Sequence, residues 1–234
     1  MKLSNEQIER LYRFTREHFV EWYDLQTELV DHLANAIESK WNENPNLSFE
    51  ETLQSEFKKF GVFGFMDVVE KRQIALNQKY NKLVWKHFKE FFALPKILLS
   101  FGFVAVLFFV MKQVPDPDIF FSVVFVSFVA VALTQIIKHI RYQNRKTKPD
   151  EKRWLFLEVI RSYGNLSLFF VIPIQLLTRI ANSSNFFQNT VLMLVVSAFI
   201  VAYSLAIYII MYVIPSKAEN YLHETYPEYR LENV

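Results

Sequence analysis

The sequence predicts an all-α protein in which an N-terminal soluble helical domain is followed by a four-helix transmembrane bundle. The charged residues are unevenly distributed, since 14 of the 26 Lys and Arg and 15 of the 24 Asp and Glu lie within the first 96 residues. The later part contains long apolar runs, and those at 97–111 and 191–214 carry no charged residue. A helix needs roughly 20 apolar residues to cross the hydrocarbon core of a bilayer, so runs of this length indicate membrane spans.

Four segments have the length and composition of transmembrane helices, and they are predicted at about 95–111, 119–137, 154–177 and 190–214. In the core of a soluble protein, segments this long and apolar would need more polar covering than this chain has. We therefore expect a soluble domain at 1–92, a four-span transmembrane domain at 93–214 and a tail at 215–234.

The distribution of Lys and Arg predicts the orientation of the spans. The connection at 138–153 contains seven Lys or Arg, whereas the connection after the first span contains only Lys112 and the one after the third only Arg179. Positively charged connections are retained in the cytoplasm. We therefore expect a multi-pass protein of the cell (inner, cytoplasmic) membrane, with lipid around its spans and both termini in the cytoplasm.

The third predicted span is the most polar, and it has two interpretations. In the first, Glu158, Arg161, Asn165 and Gln175 form a transmembrane polar seam that lines a substrate path. In the second, Glu158 and Arg161 pair across one turn near the cytoplasmic end, while the other polar groups stabilise helix packing. The second is favoured because an ion or proton pathway would need a charged residue near the middle of the bilayer.

Apolar periodicity predicts helices throughout the first 92 residues. Ser4 and Ser48 are each followed three residues later by Gln or Glu, which is the signature of a capping box. A helix is predicted at about 21–41 because its apolar residues recur every three or four positions and form one buried stripe. Gly61 is expected to end the helix that begins after Ser48.

The last helix of this domain is predicted to begin near Phe65 and to run nearly to Pro95. Its final part, 83–96, mixes aromatic residues with lysines. That composition is typical of an interfacial helix lying at the lipid headgroups. Such a helix would couple the soluble domain to the first span.

The polar face of the helix at 21–41 is the candidate site for docking a basic partner. At 100° per residue this face contains Asp24, Glu28, Asp31 and Asn35, with His32 at its edge. A solvated surface is the simpler alternative. A metal site using Glu28 and His32 has less support, since two ligands four residues apart need further His or Cys ligands nearby.

Several functional classes are disfavoured by composition. The chain has no cysteine, which excludes disulfides and zinc–thiolate sites. A net charge of +2 without a basic arm gives no support for nucleic-acid binding. With four glycines and no phosphate-binding loop, nucleophile elbow or HExxH motif, we expect neither an enzyme nor a cofactor.

Three helical runs in the N-terminal domain carry a family resemblance: LSNEQIERLYRF, EWYDLQTELVDHLANAIE and LSFEETLQSEFKKFGVFGF. Together they resemble the HAAS-type helical domain that precedes membrane spans in bacterial proteins. The continuation KYNKLVWKHFKEFFALPKILL resembles four-span membrane proteins of Bacteroidetes, and the resemblance covers roughly residues 3–100. Genes of this group often adjoin one for a PadR-type transcriptional regulator, and similar domains precede some transporter permeases.

The resemblance also bears on the candidate docking face. It implies that Asp24, Glu28, Asp31 and His32 occupy the polar positions of the family's D-x-x-x-E-x-x-D-H helix. The chain departs from the family after the third helix, where Phe63 and Phe65 stand at positions that are usually a small residue or glycine. We therefore expect a non-enzymatic sensor or regulator whose cytoplasmic domain docks a protein partner, either a PadR-type regulator or a transporter subunit. The alternative is a transporter accessory subunit or small carrier with a polar path along the third span.

Overall fold

The structure is a computed structural model that describes residues 2–114, 116–145, 152–163, 189–226 and 228–229. All regular elements within these ranges are helices, which confirms the all-α prediction. The helices are α1 (Asn5–Glu17), α2 (Tyr23–Glu43), α3 (Phe49–Lys58), α4 (Met66–Glu90), α5 (Lys96–Gln113), α6 (Pro117–Arg145), α7 (Leu155–Tyr163), α8 (Thr190–Tyr208) and α9 (Ala218–Thr225). After α8 the chain continues through a π-helical segment, Ile209–Val213, and a short helix, Ile214–Ser216.

The chain divides into two compact units. The first unit consists of Met1–Lys79, Asp150–Val159 and Tyr221–Val234, and the second consists of Tyr80–Pro149 and Ile160–Asn220. The first unit therefore combines the predicted soluble domain with two later segments that the sequence assigns to a loop, a span and a tail.

Both predicted helix starts have an N-terminal serine cap, and the Ser4–Gln7 pair forms the complete capping box. The Ser4 hydroxyl accepts a hydrogen bond from the Gln7 amide at 3.3 Å, and the Gln7 side chain accepts one from the Ser4 amide at 2.8 Å. The Ser48 hydroxyl likewise accepts from the Glu51 amide at 3.3 Å. These bonds satisfy amide groups that have no partner inside α1 and α3, so they explain where both helices begin.

The end of α3 also follows the prediction. The helix ends at Lys58, and Gly61 follows with a φ of +82°, a conformation that glycine adopts without a steric penalty. Gly64 has a φ of +56°, and a Cβ atom there would lie 2.8 Å from the Phe57 ring. The two glycines thus let the chain turn tightly against the core before α4 begins.

The core of the first unit is partly aromatic. The Phe57 ring lies 5.1 Å from Phe14 and 4.9 Å from Phe65, in edge-to-face arrangements. The predicted stripe of α2 is buried against this core through Leu25, Leu29, Leu33 and Ile37. Burial of this stripe confirms the three- and four-residue periodicity and leaves the opposite face of α2 to solvent.

Three helices of the second unit are long and apolar enough to cross a membrane: Lys96–Gln113, Asp118–Lys138 and Thr190–Ser216. They correspond to the first, second and fourth predicted spans, which are thereby confirmed as candidates. The prediction of a four-helix transmembrane bundle is corrected, because the predicted span at 154–177 is not among the candidate membrane-spanning helices of the described ranges.

The described part of that segment is the nine-residue helix α7, and residues 164–188 lie outside the described ranges. The start of α7 belongs to the first unit, where Trp154, Leu155 and Phe156 are buried. These apolar side chains pack against protein. Sequence periodicity cannot separate this from burial in lipid, which is why 154–156 are included in a predicted span.

Two buried clusters show the relative directions of the three long helices in the second unit. A buried cluster joins the end of α5 to the first halves of α6 and α8 through Met111, Phe121 and Met193. A second cluster joins the later halves of α6 and α8 through Ala132 and Ile207. Therefore α6 and α8 run in the same direction, and α5 runs opposite to both.

Candidate docking site

The polar face of α2 lies largely at the surface of the first unit. Glu28, Asp31, His32 and Asn35 are all exposed, whereas Asp24 is only partly exposed. The structure therefore keeps four of the predicted docking residues together on one exposed helix face. Asp24, one turn before Glu28, has a different environment.

Asp24 forms an N-terminal cap for another helix. One carboxylate oxygen accepts a hydrogen bond from the Leu155 amide at 3.1 Å, and Leu155 is the first residue of α7. The other oxygen has no hydrogen-bond partner among the residues that the structure describes. An acidic side chain is favourable there because it faces the positive end of the α7 dipole.

Asp24, Arg72 and Tyr226 form a small polar cluster at this cap. The Tyr226 hydroxyl and the Arg72 guanidinium both interact electrostatically with the carboxylate, although neither is within hydrogen-bonding geometry of it. Burial raises the pKa of the Asp24 carboxyl above its ordinary value, against the opposing effect of the Leu155 hydrogen bond. Burial and the nearby carboxylate also raise the pKa of the Tyr226 hydroxyl.

Replacing Asp24 by asparagine should remove a specific part of the pH dependence of stability. Because the folded-state pKa of Asp24 is raised, the folded protein binds a proton at higher pH than the unfolded chain does. Protonation of Asp24 should therefore increase the free energy of unfolding as the pH falls from the folded-state pKa towards the unfolded value of about 4. Asparagine keeps an oxygen for the Leu155 amide but cannot ionise.

The measurement is chemical denaturation of the full chain in mild detergent at several pH values between about 7 and 4. The difference curve between wild type and Asp24→Asn should slope in that window, and the variant should be at least as stable at pH 7. The exposed Asp31→Asn is the matched control. A flat difference curve for Asp24→Asn would contradict the buried-carboxylate interpretation.

Trp154 is the centre of the contact between α2 and the later segments of the first unit. Its side chain is 5% exposed, and its ring lies 5.5 Å from Tyr23, 5.0 Å from Tyr226 and 5.2 Å from Tyr229. The Tyr23 amide donates a hydrogen bond to the Arg153 carbonyl at 2.7 Å. Thus the first turn of α2 is hydrogen-bonded to the segment before α7, and the Trp154 ring connects it to the segment after α9.

Charged groups strengthen the same contact at its exposed edge. Arg153 forms an ion pair with Glu21, and the Lys152 ammonium lies 4.0 Å from the centre of the Tyr23 ring. Because these groups are largely exposed, each contributes little on its own. Their main effect is to keep the basic end of the 138–153 connection next to α2.

An apolar loop extends the polar face of α2. The His32 ring packs edge-on against Phe60 with 5.9 Å between the centroids. The loop that follows Phe60 exposes Val62 to 98% and Phe63 to 71%. Neither residue is among the docking residues predicted from the sequence, although the pattern Gly-Val-Phe-Gly indicates a tight loop with apolar residues at its tip.

We define the docking surface by seven residues: Glu28, Asp31, His32, Asn35, Phe60, Val62 and Phe63. It combines the acidic groups Glu28 and Asp31 with the exposed apolar side chains of Val62 and Phe63 and the partly buried ring of Phe60. Within the described ranges, no three His, Asp or Glu residues are grouped so that they could hold a metal ion. The arrangement suits protein recognition better than metal chemistry, because apolar area and charge are side by side.

The predicted polar seam is only partly described. Glu158 and Arg161 both lie in α7, three residues apart, and both are half-buried. Asn165 and Gln175 lie outside the described residues. Whether the four form a path therefore stays a prediction.

Comparisons with known proteins identify no relative of this chain. The resemblance to the HAAS-type domain stays an expectation from sequence, because a comparison of the chain with known protein families, with curated proteins and with solved structures found no match in any of the three.

Proposed function

We propose that this chain is a non-enzymatic regulator anchored in the cell membrane, and that its docking surface binds a protein partner in the cytoplasm. The observation that carries the proposal is the exposure of Val62 and Phe63 in the loop after Phe60, whose ring packs against His32 on the polar face of α2. Contiguous apolar area at a surface is typical of interaction sites.

The chemistry of the docking surface defines its partner. Glu28 and Asp31 would attract Lys and Arg, and this attraction increases the association rate and orients the partner. Burial of Val62 and Phe63 would supply roughly 1.5–3 kcal/mol each. The partner is therefore a protein segment with basic and apolar residues along one face. The resemblance to HAAS-type domains suggests a PadR-type regulator or a transporter subunit.

The contacts of α2 suggest how the membrane would influence docking. The first turn of α2 is hydrogen-bonded to Arg153 and to Leu155, the first residue of α7, and Asp24 in this turn interacts electrostatically with Tyr226, which follows α9. A change in the spans would pull on these two segments first. Since α2 is a continuous helix, a shift of its first turn would also move Glu28 and Asp31.

The cytoplasmic location is supported by charge. In the second unit, the start of α5 and the ends of α6 and α8 share one side, which carries Lys96, Lys138, Arg141 and Lys217, whereas Lys112 lies on the other side near two aspartates. By the positive-inside rule, the first side is cytoplasmic.

A single cysteine introduced at Asn35 tests both location and docking, since the chain has no other cysteine. In native membranes of the source cell, Asn35→Cys should react with a membrane-impermeant thiol reagent only after the cells are opened. A cysteine-directed photocrosslinker at this position should then join the full-length protein to a distinct partner. Mass spectrometry of the product identifies that partner.

The triple change E28K/D31K/F63S on the Asn35→Cys background should reduce the crosslinked product more than tenfold, because central contacts of a docking surface typically contribute about 2 kcal/mol each. The control E6K/E9K makes the same charge reversal on exposed positions of α1 and should leave the product unchanged. Equal loss in both variants, or thiol labelling of Asn35→Cys in intact cells, would refute the proposal.

A further inference from the structure

The later half of α4 carries a face of exposed lysines beside an exposed tryptophan. Lys82, Lys86 and Lys89 are spaced four and three residues apart, so they fall within about 60° of the helix circumference. Trp85 lies on the same side, is 57% exposed, and has the Lys89 ammonium 5.3 Å from its ring centroid. All four residues belong to the second unit, and α5 begins only seven residues after Lys89.

These lysines are not neutralised within the part of the chain that the structure describes. None of the three forms an ion pair there. The nearest acidic residue on the helix, Glu90, is hydrogen-bonded to His87 at 3.1 Å, and this bond lowers the pKa of Glu90. The lysine face therefore carries three positive charges against the single negative charge of Glu90.

Two adjoining concavities lie at this face. The first has a volume of about 590 Å³ and is lined by Lys82, Trp85, Lys86, Lys89, Glu90 and Ala93. The second has a volume of about 200 Å³ and lies between α5 and α8, with Phe92, Phe101 and Leu205 among its walls. Ala93 lines the first groove and Phe92 the second, so consecutive residues of the chain line the two grooves.

The apolar groove is suited to a hydrocarbon chain. Its lining contains one polar side chain, Ser100, whose hydroxyl is already used by the Phe91 and Lys96 carbonyls at 3.2 and 3.3 Å. The Ser100 hydroxyl therefore has no hydrogen left to donate, and the other lining side chains are apolar, which favours an acyl chain over a water-soluble ligand.

We propose that this pair of grooves binds one anionic phospholipid. The headgroup phosphate would lie against Lys82, Lys86 and Lys89 with Trp85 at the interface, and an acyl chain would occupy the groove between α5 and α8. Each lysine near an anionic lipid surface increases binding about fivefold, so the three together should discriminate strongly against a lipid without net charge. Tryptophan is the aromatic residue that membrane interfaces favour most.

The test is native mass spectrometry of the full-length protein in mild detergent, titrated with phosphatidylglycerol or with phosphatidylcholine of the same acyl chains. We expect at least tenfold tighter binding of phosphatidylglycerol. K82Q/K86Q/K89Q should lower that affinity at least tenfold and leave phosphatidylcholine binding unchanged, while K82R/K86R/K89R should retain it. The matched control K2Q/K58Q/K71Q removes the same charge from exposed positions of the first unit.

Three outcomes would overturn the proposal: equal binding of the two lipids, equal losses in the lysine-face variant and the control, or displacement of phosphatidylglycerol by glycerol phosphate at the same concentration. The last would show that a soluble phosphate compound is the ligand. Retained selectivity for phosphatidylglycerol with the control variant, lost only with the lysine-face variant, would support the lipid site.

Discussion

Replacing Val106 by arginine should cost α5 about 2.5–3.5 kcal/mol of membrane-insertion free energy, which is the penalty for a charge near the centre of a span. Val106 lies near the middle of Lys96–Gln113, and its side chain is 61% exposed in this chain. If lipid surrounds α5, the guanidinium has no water to hydrate it. If water surrounded α5, the same exposed position would tolerate arginine with almost no change in stability.

The amount of full-length protein that remains in the membrane fraction after alkaline washing measures this effect. We expect the Val106→Arg variant to fall more than tenfold below wild type. The control is Val62→Arg, which changes an even more exposed valine of the first unit and should leave the membrane fraction unchanged. Normal recovery of Val106→Arg would contradict the assignment of α5 as a span.

Truncation of Trp154 to alanine should destabilise the first unit by about 3–5 kcal/mol, as is typical of a buried tryptophan. The ring lies among Tyr23, Tyr226 and Tyr229, and these four rings hold two later segments against α2. Removing Trp154 leaves a cavity that the surrounding tyrosines can fill only in part. Its neighbour Leu155 would then be less firmly held at Asp24.

Thermal unfolding of the full chain in detergent, combined with hydrogen exchange, tests this expectation. The first turn of α2 and the segment around Tyr226 should exchange faster in the Trp154→Ala variant. Trp85→Ala removes the same side chain from an exposed position and should have a much smaller effect on the unfolding temperature. Similar effects of both changes would show that Trp154 has no special structural role.

Local features of the chain were predicted well, because they depend on residues close together in sequence. The caps at Ser4 and Ser48 and the turn at Gly61 each need only a few neighbouring residues. The buried stripe of α2 follows from helical periodicity. Three candidate spans follow from apolar length, which is a property of the segment itself.

The candidate site was predicted less completely. The exposed face of α2 contains Glu28, Asp31, His32 and Asn35 as expected, although docking itself stays a prediction. Val62 and Phe63 were not selected, because an apolar residue in a sequence is ordinarily assigned to the core. They lie between Gly61 and Gly64, whose positive φ angles let the chain turn tightly with Val62 and Phe63 at its exposed tip.

The helical class, the capped starts at Ser4 and Ser48 and the three long apolar helices could be predicted from the sequence, because they depend on hydrogen bonding and hydrophobicity within single segments. The roles of Asp24 and Trp154 could not, because they arise from tertiary contacts. Both are contacts between residues about 130 positions apart. A carboxylate that caps a distant helix has the same sequence pattern as one that faces water, and an apolar run buried in protein has the same composition as one buried in lipid.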